Sequence, residues 1–315
     1  MREKILELLN QKDYISGESI SKKLNISRTA VWKQINVLKK QSYIIKSVKN
    51  KGYLLLSRPD VPFSEEITTK INTKIIGKNI KYFKEIDSTN SYLKNILKSQ
   101  VEEGSIVVAD QQLKGRGRKN RSWDSSEGGL WFSVILYPNL PPQQAMLITM
   151  IASISIVESI KKITQLDPVI KWPNDILLNK KKLCGILTEL DAEIDRLNYS
   201  IIGIGINVNN KINPELFDIA TSIKKENKGK ISRVNLLVEI INTLDNYYKV
   251  LLEKNYKFIK EKWLKYSKII GRKIIVNEGL KTKIGYVKDV DDNGCLLLET
   301  GSGVDTIITG DIKYL

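Results

Sequence analysis

Three arginines and two glycines crowd one short stretch of this 315-residue chain, Lys114-Gly-Arg-Gly-Arg-Lys-Asn-Arg-Ser-Trp123. Gly115 and Gly117 permit a tight turn and a close approach of backbone to ligand. Arg116, Arg118 and Arg121 supply guanidinium groups, which grip carboxylate and phosphate in bidentate fashion. Together they suit an anionic ligand over which the segment folds; taken alone, the stretch reads equally as a solvated basic loop. A second cluster, Lys171-Trp-Pro-Asn-Asp175, contains a rigid turn. A third, Asn179-Lys-Lys-Lys182, is a basic turn of the kind that is usually just solvated.

Composition narrows the chemistry. The chain has no histidine, which excludes Ser-His-Asp and Cys-His catalysis, and its two cysteines, Cys184 and Cys295, lie far apart without a CxxC pair. A zinc site and a disulfide framework are therefore not expected. Cys184 sits in an apolar run and reads as an inert core residue. Gly203-Ile-Gly205 lacks the third glycine of a dinucleotide fingerprint, and no Gly-x-x-x-x-Gly-Lys-Ser/Thr occurs, so ATP would not be held by a P-loop.

The elements that must position these residues follow from periodicity. The arginine segment lies between two apolar strands, 104–110 and 129–136, and a core helix spans 144–164. Further strands cover 80–86, 169–178, 183–190 and 199–209, and packing helices cover 234–254 and 256–266. From Gly271 the texture changes to short alternating strands at 273–276, 283–287, 295–298 and 305–308 with hairpin turns between them, which implies a small β-barrel. Ser57-Arg-Pro-Asp-Val-Pro-Phe63 reads as a linker.

The first 56 residues read as three helices and a hairpin. Lys and Arg number 51 against 35 Asp and Glu, a net charge of +16; residues 1–60 alone hold 13 against 5. Some of the lysine is what an AT-rich genome would give, but its concentration in one domain is a nucleic-acid footprint. Asn25-Ile26 makes a tight turn, and Ser27 caps a third helix that turns Val31, Ile35 and Leu38 inward. Ser27, Arg28, Thr29, Lys33, Gln34 and Lys40 then face outward as candidates for base edges and phosphates. Strands at 43–48 and 52–56 flank Lys49-Asn-Lys51 as a wing. The same trio of helices could instead dock a protein.

The pattern Gly-Arg-Gly-Arg-x-x-Arg-x-Trp at 115–123, with Lys-Trp-Pro-Asn-Asp at 171–175, resembles the biotin protein ligases, and the resemblance extends over essentially the whole chain. Asn120 replaces the family's third glycine; asparagine tolerates left-handed backbone angles, so the loop should survive the change. The resemblance implies an α+β fold in three parts: a winged helix-turn-helix at 1–60, a mixed-sheet ligase domain at 64–268 and an SH3-like barrel at 269–315. It implies a biotin–[acetyl-CoA-carboxylase] ligase that forms biotinyl-5'-AMP from biotin and ATP, with Mg2+, and passes biotin to a lysine of a carrier protein.

It also implies roles. Ser88, Thr89, Asn90, Gln112, Arg116, Gly117, Arg118, Lys182 and Asn207 would meet biotin; Ser88 or Thr89 could equally just cap the helix that follows. Arg118, Arg121, Trp123, Asn174 and Asp175 would lie on the nucleotide side, with Trp123 read chiefly as an anchor for the loop and Asp175 orienting Mg2+ or a basic neighbour. Lys182, Arg116 and Arg118 would be catalytic. The family's long members repress biotin genes as adenylate-bound homodimers on operator DNA. A ligand-sensing transcription factor without ligase activity and a lipoate-type ligase are the alternatives; retention of Lys182 and of both motifs argues against them. Met-Arg-Glu-Lys-Ile-Leu has no signal-peptide core and the most apolar stretch, 145–157, is too short to span a bilayer, so a cytosolic protein is expected.

Overall fold

A computed structural model describes residues 1–10, 13–97, 100–278 and 281–315. They form two compact units, Met1–Lys70 and Ile71–Leu315.

In the first unit, α1 (Arg2–Leu9), α2 (Gly17–Leu24) and α3 (Arg28–Lys40) bury Ile5, Leu6, Leu9, Ile20, Val31, Ile35 and Leu38 against one another. Asn25 ends α2 in the left-handed region at φ 53°, and Ser27 Oγ caps α3 by accepting from the Ala30 N–H at 3.1 Å. The wing is the antiparallel pair β1 (Ile44–Val48) and β2 (Gly52–Ser57). The short helix α4 (Ser64–Thr68), although it falls within the 64–268 span expected for the ligase domain, belongs to this unit. Its buried Glu66 accepts from the Tyr43 hydroxyl at 2.9 Å and pairs with Arg58 at 2.5 Å, while Arg2 pairs with Glu65 at 2.7 Å. A boundary drawn at the prolines misses these long-range ion pairs, which local composition does not reveal.

The second unit is built on a seven-stranded sheet in the order β3-β4-β5-β9-β8-β7-β6, formed by β3 (Ile80–Ile86), β4 (Ile106–Gln112), β5 (Leu130–Leu136), β6 (Val169–Lys171), β7 (Asp175–Leu178), β8 (Lys181–Ala192) and β9 (Leu197–Ile206). Only β3 and β4 pair in parallel. Helix α5 (Thr89–Ile96) packs Leu93 against Val107, Ile135 and Ile201. Helix α6 (Ala145–Thr164) is apolar nearly all round, as a helix enclosed on every side must be; it packs on β6 to β9 and on α8 (Arg233–Leu252) and α9 (Tyr256–Ser267). A single turn, α7 (Ile223–Glu226), precedes α8. Arg233, buried at the start of α8, pairs with Asp110 at 2.8 Å, fastening that helix to β4.

The C-terminal strands β10 (Lys273–Glu278), β11 (Lys281–Val290), β12 (Leu296–Thr300), β13 (Gly303–Ile307) and β14 (Asp311–Tyr314) form an antiparallel sheet in the order β13-β12-β11-β10-β14. It belongs to the second unit: Trp172 Nε1 donates to the Gly294 carbonyl at 3.2 Å, and Gly294 packs against Met146 and Met150. Among the described residues, no helix is long and apolar enough to cross a membrane.

Candidate active site and nucleic-acid interface

β9 alternates, so Ile201, Gly203 and Gly205 share one face. Ile201 is core, but the two glycines leave that face bare, and a cleft opens over them. Ser88, Thr89, Asn90, Gln112, Arg116, Gly117, Arg118, Arg121, Trp123, Asn174, Asp175 and Lys182 all line it, which brings together every expected biotin-side and nucleotide-side residue except Asn207. Asn207 follows the end of β9 and lines an adjoining cavity with Asn210, whose Nδ2 it accepts at 3.0 Å. Arg121, Trp123, Asp175 and Lys182 border both spaces.

The arginine segment is a folded hairpin rather than an open loop. Trp123 N–H donates to the Gly115 carbonyl at 2.9 Å and Gly117 N–H to the Arg121 carbonyl at 2.7 Å. A Cβ on Gly115 would meet the Trp123 carbonyl at 2.4 Å, whereas the nearest atom at Gly117 is 3.6 Å away, so only the first glycine is required for close approach. Lys119 and Asn120 both take left-handed angles, φ 54° and 57°; asparagine is a suitable residue for the second of these, as expected of a glycine substitute.

Each arginine has a distinct partner. Arg116 Nη2 pairs with Glu189 at 3.1 Å. Arg118 donates to Asn174 Oδ1 at 3.0 Å, to Thr309 Oγ1 at 2.8 Å and to the Gly310 carbonyl at 3.3 Å. Burial pulls its guanidinium below the ordinary arginine value, against the opposing pull of Asp311 and Asp175. Arg121 and Lys119 pair with Asp311. Burial alone would raise the Asp311 carboxyl, but the hydrogen bonds from Arg121 and Lys119 outweigh it and hold the group below the usual carboxylate range. The last strand thus reaches the cleft, a contribution that the sequence did not signal.

Lys182 stands at the start of β8, its N–H bonded to the Ile219 carbonyl at 2.7 Å and its carbonyl to the Thr221 N–H at 3.0 Å. That double clamp fixes the backbone from which the ammonium projects. Nζ lies 2.7 Å from Asp175 Oδ1 and 5.0 Å from the centroid of the Trp123 ring. Asn174 Nδ2 donates to the Ile186 carbonyl at 2.8 Å, so its side chain bridges β8 and Arg118.

At the other end the floor is a polar chain. Ser88 caps α5 by accepting from the Ser91 N–H at 3.4 Å, as local sequence suggested. Thr89 N–H donates to Gln112 Oε1 at 2.9 Å, and Gln112 Nε2 donates to Ser125 Oγ at 2.9 Å. Thr89 Oγ1 lies 2.6 Å from Ser133 Oγ, which donates to Asn90 Oδ1 at 2.6 Å, and Asn90 Nδ2 donates to Glu189 Oε2 at 2.8 Å. Sequence reasoning missed Ser133 and Glu189. The signal for Ser133 was a lone hydroxyl in the apolar run Leu130–Leu136, fully buried and therefore in need of partners.

In the first unit Ser27, Arg28, Thr29 and Lys33 are exposed on α3, Gln34 is half-buried, and Lys49 and Lys51 are exposed at the wing tip. Arg28, Thr29 and Lys49 line a groove between α3, the start of α2 and the wing. Trp32, which the polar reading of this face passed over, lines the same groove and is 56% exposed.

Comparison with known proteins covers both units. The Biotin/lipoate A/B protein ligase family matches residues 82–207, and a helix-turn-helix domain family matches residues 1–54. The Bifunctional ligase/repressor BirA of Bacillus subtilis is 39% identical over 99% of this chain and 98% of its own length, and that of Escherichia coli is 27% identical over 98% and 96%. The biotin protein ligase from Aquifex aeolicus, solved in complex with biotin and ATP, superposes with a TM-score of 0.65 at 30% identity, covering 76% of this chain and 99% of that one. A winged helix-turn-helix ahead of the cleft-bearing sheet, matched end to end at this identity, means that the chain belongs to the BirA family of bifunctional ligase/repressors.

Proposed function

We propose that the cleft carries out both halves of biotin transfer. A carboxylate is a poor electrophile in water, so it must first be activated: an oxygen of the biotin carboxylate attacks the α-phosphorus of ATP and pyrophosphate leaves. The ε-amine of a carrier-protein lysine then attacks the acyl carbon of biotinyl-5'-adenylate, and AMP leaves. The observation that carries this reading is that Arg116, Arg118 and Lys182 line one cleft together with the uncharged hydrogen-bonding side chains of Ser88, Thr89, Asn90 and Gln112. The floor of Ser88, Thr89, Asn90 and Gln112 suits the ureido ring, and the cations suit the carboxylate and phosphate.

Lys182, clamped at the start of β8, stabilises the negative charge that builds on the transferring group, with little positional freedom to lose. Arg118 holds the acyl-phosphate end, and Arg121 with Asn174 binds the nucleotide. Trp123, between the two spaces, forms the wall against which the adenosine lies, and Asn207 faces that second space. Folding of the arginine segment over the adenylate keeps water from the mixed anhydride.

Among the described residues no group of three or more acidic, histidine or cysteine side chains could hold a metal. Mg2+ commonly binds through one or two carboxylates plus substrate phosphates, and Asp175, on the cleft beside Lys182, fits that donor set. When bound, the ion would neutralise phosphate charge.

The first unit binds operator DNA through α3 and the wing, which makes the protein a biotin-responsive repressor. Adenylate ordering the cleft promotes a homodimer, and the carrier protein competes with the second subunit for one surface. Purified protein given biotin, ATP and a carrier domain should add one biotinyl group to a single carrier lysine, read by mass spectrometry. In sedimentation, carrier protein should convert the adenylate-bound dimer to a smaller complex; a dimer that persists would remove the competition. A lipoate-type ligase predicts transfer of lipoate instead.

A further inference from the structure

We infer that Trp32 determines sequence preference in the DNA-binding unit by reading the 5-methyl group of thymine in the major groove. The inference rests on the operator reading of the first unit and deepens it by naming a base that the unit selects.

The two sides of α3 have different tasks. Val31, Ile35 and Leu38 are buried and hold the helix in the core, while Arg28, Thr29, Trp32 and Lys33 are exposed. Trp32 therefore does not serve the core, although it is the largest apolar side chain that the described residues of this unit leave exposed. It is the fifth residue of Arg28–Lys40, one turn into the helix. In a helix-turn-helix the first turns of the second helix are the part that meets base edges.

The surroundings of Trp32 indicate what covers it. The groove that it lines is also lined by Arg28, Thr29 and Lys49, and Glu18, an acid on the same groove, is paired with Lys22 at 2.8 Å. Lys33, next along the helix, is exposed. An apolar ring ringed by cations suits a polyanion that carries apolar groups, and duplex DNA is such a partner. Lysines at the wing tip can take the phosphates, which leaves the ring free for a base.

The chemistry of indole then selects the base. Indole has one N–H and no acceptor, and the rest of its surface is apolar. Each base pair offers hydrogen-bonding groups in the major groove, but the apolar group there is the 5-methyl of thymine. Cytosine lacks that methyl and presents an N4 amino donor, for which indole has no acceptor. A broad ring at position 32 thus favours thymine and disfavours cytosine.

The test uses the full chain with biotin and ATP, and a duplex selected by the wild-type protein from a pool of random sequence. Each thymine of that duplex is replaced in turn by deoxyuridine, which keeps the base pair and removes only the methyl. The wild type should lose about fourfold in affinity at one position or more, the effect of one buried methyl group. Trp32→Ala should bind the selected duplex more weakly and be indifferent to deoxyuridine at that position, whereas Trp32→Phe, which keeps an apolar ring, should retain part of the discrimination. Trp32→Gln serves if Trp32→Ala fails to fold. Affinity for a random duplex should be the same in all the proteins, because phosphate contacts do not involve the ring. Thymines that are all insensitive to loss of the methyl, a deoxyuridine effect that persists in Trp32→Ala, or an equal fall on selected and random duplexes overturns the inference. A wild-type protein that selects no sequence at all overturns the operator reading, and the inference falls with it.

Discussion

Trp123 occupies the space that a side chain at position 205 would need: a Cβ built on Gly205 would lie 2.5 Å from Trp123 Nε1, and one on Gly185 would lie 3.0 Å from the same ring. The loop's aromatic end and the bare face of β9 are thus one device. Gly205→Ala should push the indole off the sheet and misplace the segment that carries the arginines. Overpacking of this kind costs about 1–3 kcal/mol of stability, so the melting temperature should fall by roughly 2–10 °C, and ATP affinity should fall by about tenfold because the segment is displaced. Unaltered nucleotide binding in calorimetry would show that the ring has no part in the site. Gly203→Ala, whose Cβ would meet Asn90 Oδ1 at 2.3 Å, should instead weaken biotin binding.

Asp245 anchors the entry to the second unit. Fully buried on α8, it accepts from the Lys74, Ile75 and Ile76 N–H groups at 3.0, 2.8 and 2.9 Å and pairs with Lys249 at 2.6 Å. Burial would raise its carboxyl, but Lys249 and the three backbone donors together hold it below the ordinary 3.8. A folded value below the unfolded one means that its stabilisation is complete above about pH 4 and is lost as pH falls through the depressed value. Asp245→Ala strands three donors and should cost about 3 kcal/mol or more in denaturant unfolding. The variant's acid limb should also flatten below pH 4; an acid limb like that of the wild type would locate the acid sensitivity elsewhere.

For the DNA-binding unit, position separates roles. Lys49 and Lys51 are exposed at the wing tip, and lysines there should meet phosphate rather than base edges, so replacing both by alanine should weaken binding on all sequences alike. The slope of log affinity against log salt should drop by about 2, one per phosphate contact. Thr29 and Arg28, within the groove, should change sequence preference instead. An unaltered salt slope in the double variant would take the wing off the duplex.

What the sequence made legible was local. Ser27 and Ser88 as caps, the turn at Asn25, the strand on each side of the arginines and the apolar helix after them all follow from short-range rules, and the structure has each in place. The clustering of Arg118, Asn174 and Lys182 was readable because two motifs carried a resemblance, although nothing in their spacing would bring positions 118, 174 and 182 together. The remainder depended on distant partners. Asp311 enters the cleft because the C-terminal strands are held to this unit, the turn at Gly294 lying against α6 and Trp172, Glu189 matters only because Arg116 folds back on it, and α4 joins the first unit through Glu66 and Tyr43. Asn207 lies one step past the cleft because β9 ends at Ile206 and the chain turns toward Asn210.

The central claim is that Lys182, held 2.7 Å from Asp175, performs adenylate chemistry. Exchange of labelled pyrophosphate into ATP by the purified protein, with biotin or lipoate and with Lys182→Ala alongside, tests it most directly. The account predicts exchange with biotin, none with lipoate, and a fall of about a hundredfold or more in the variant, the usual consequence of removing one group that stabilises transition-state charge. Absence of exchange with either acid, or full exchange by Lys182→Ala, would contradict it.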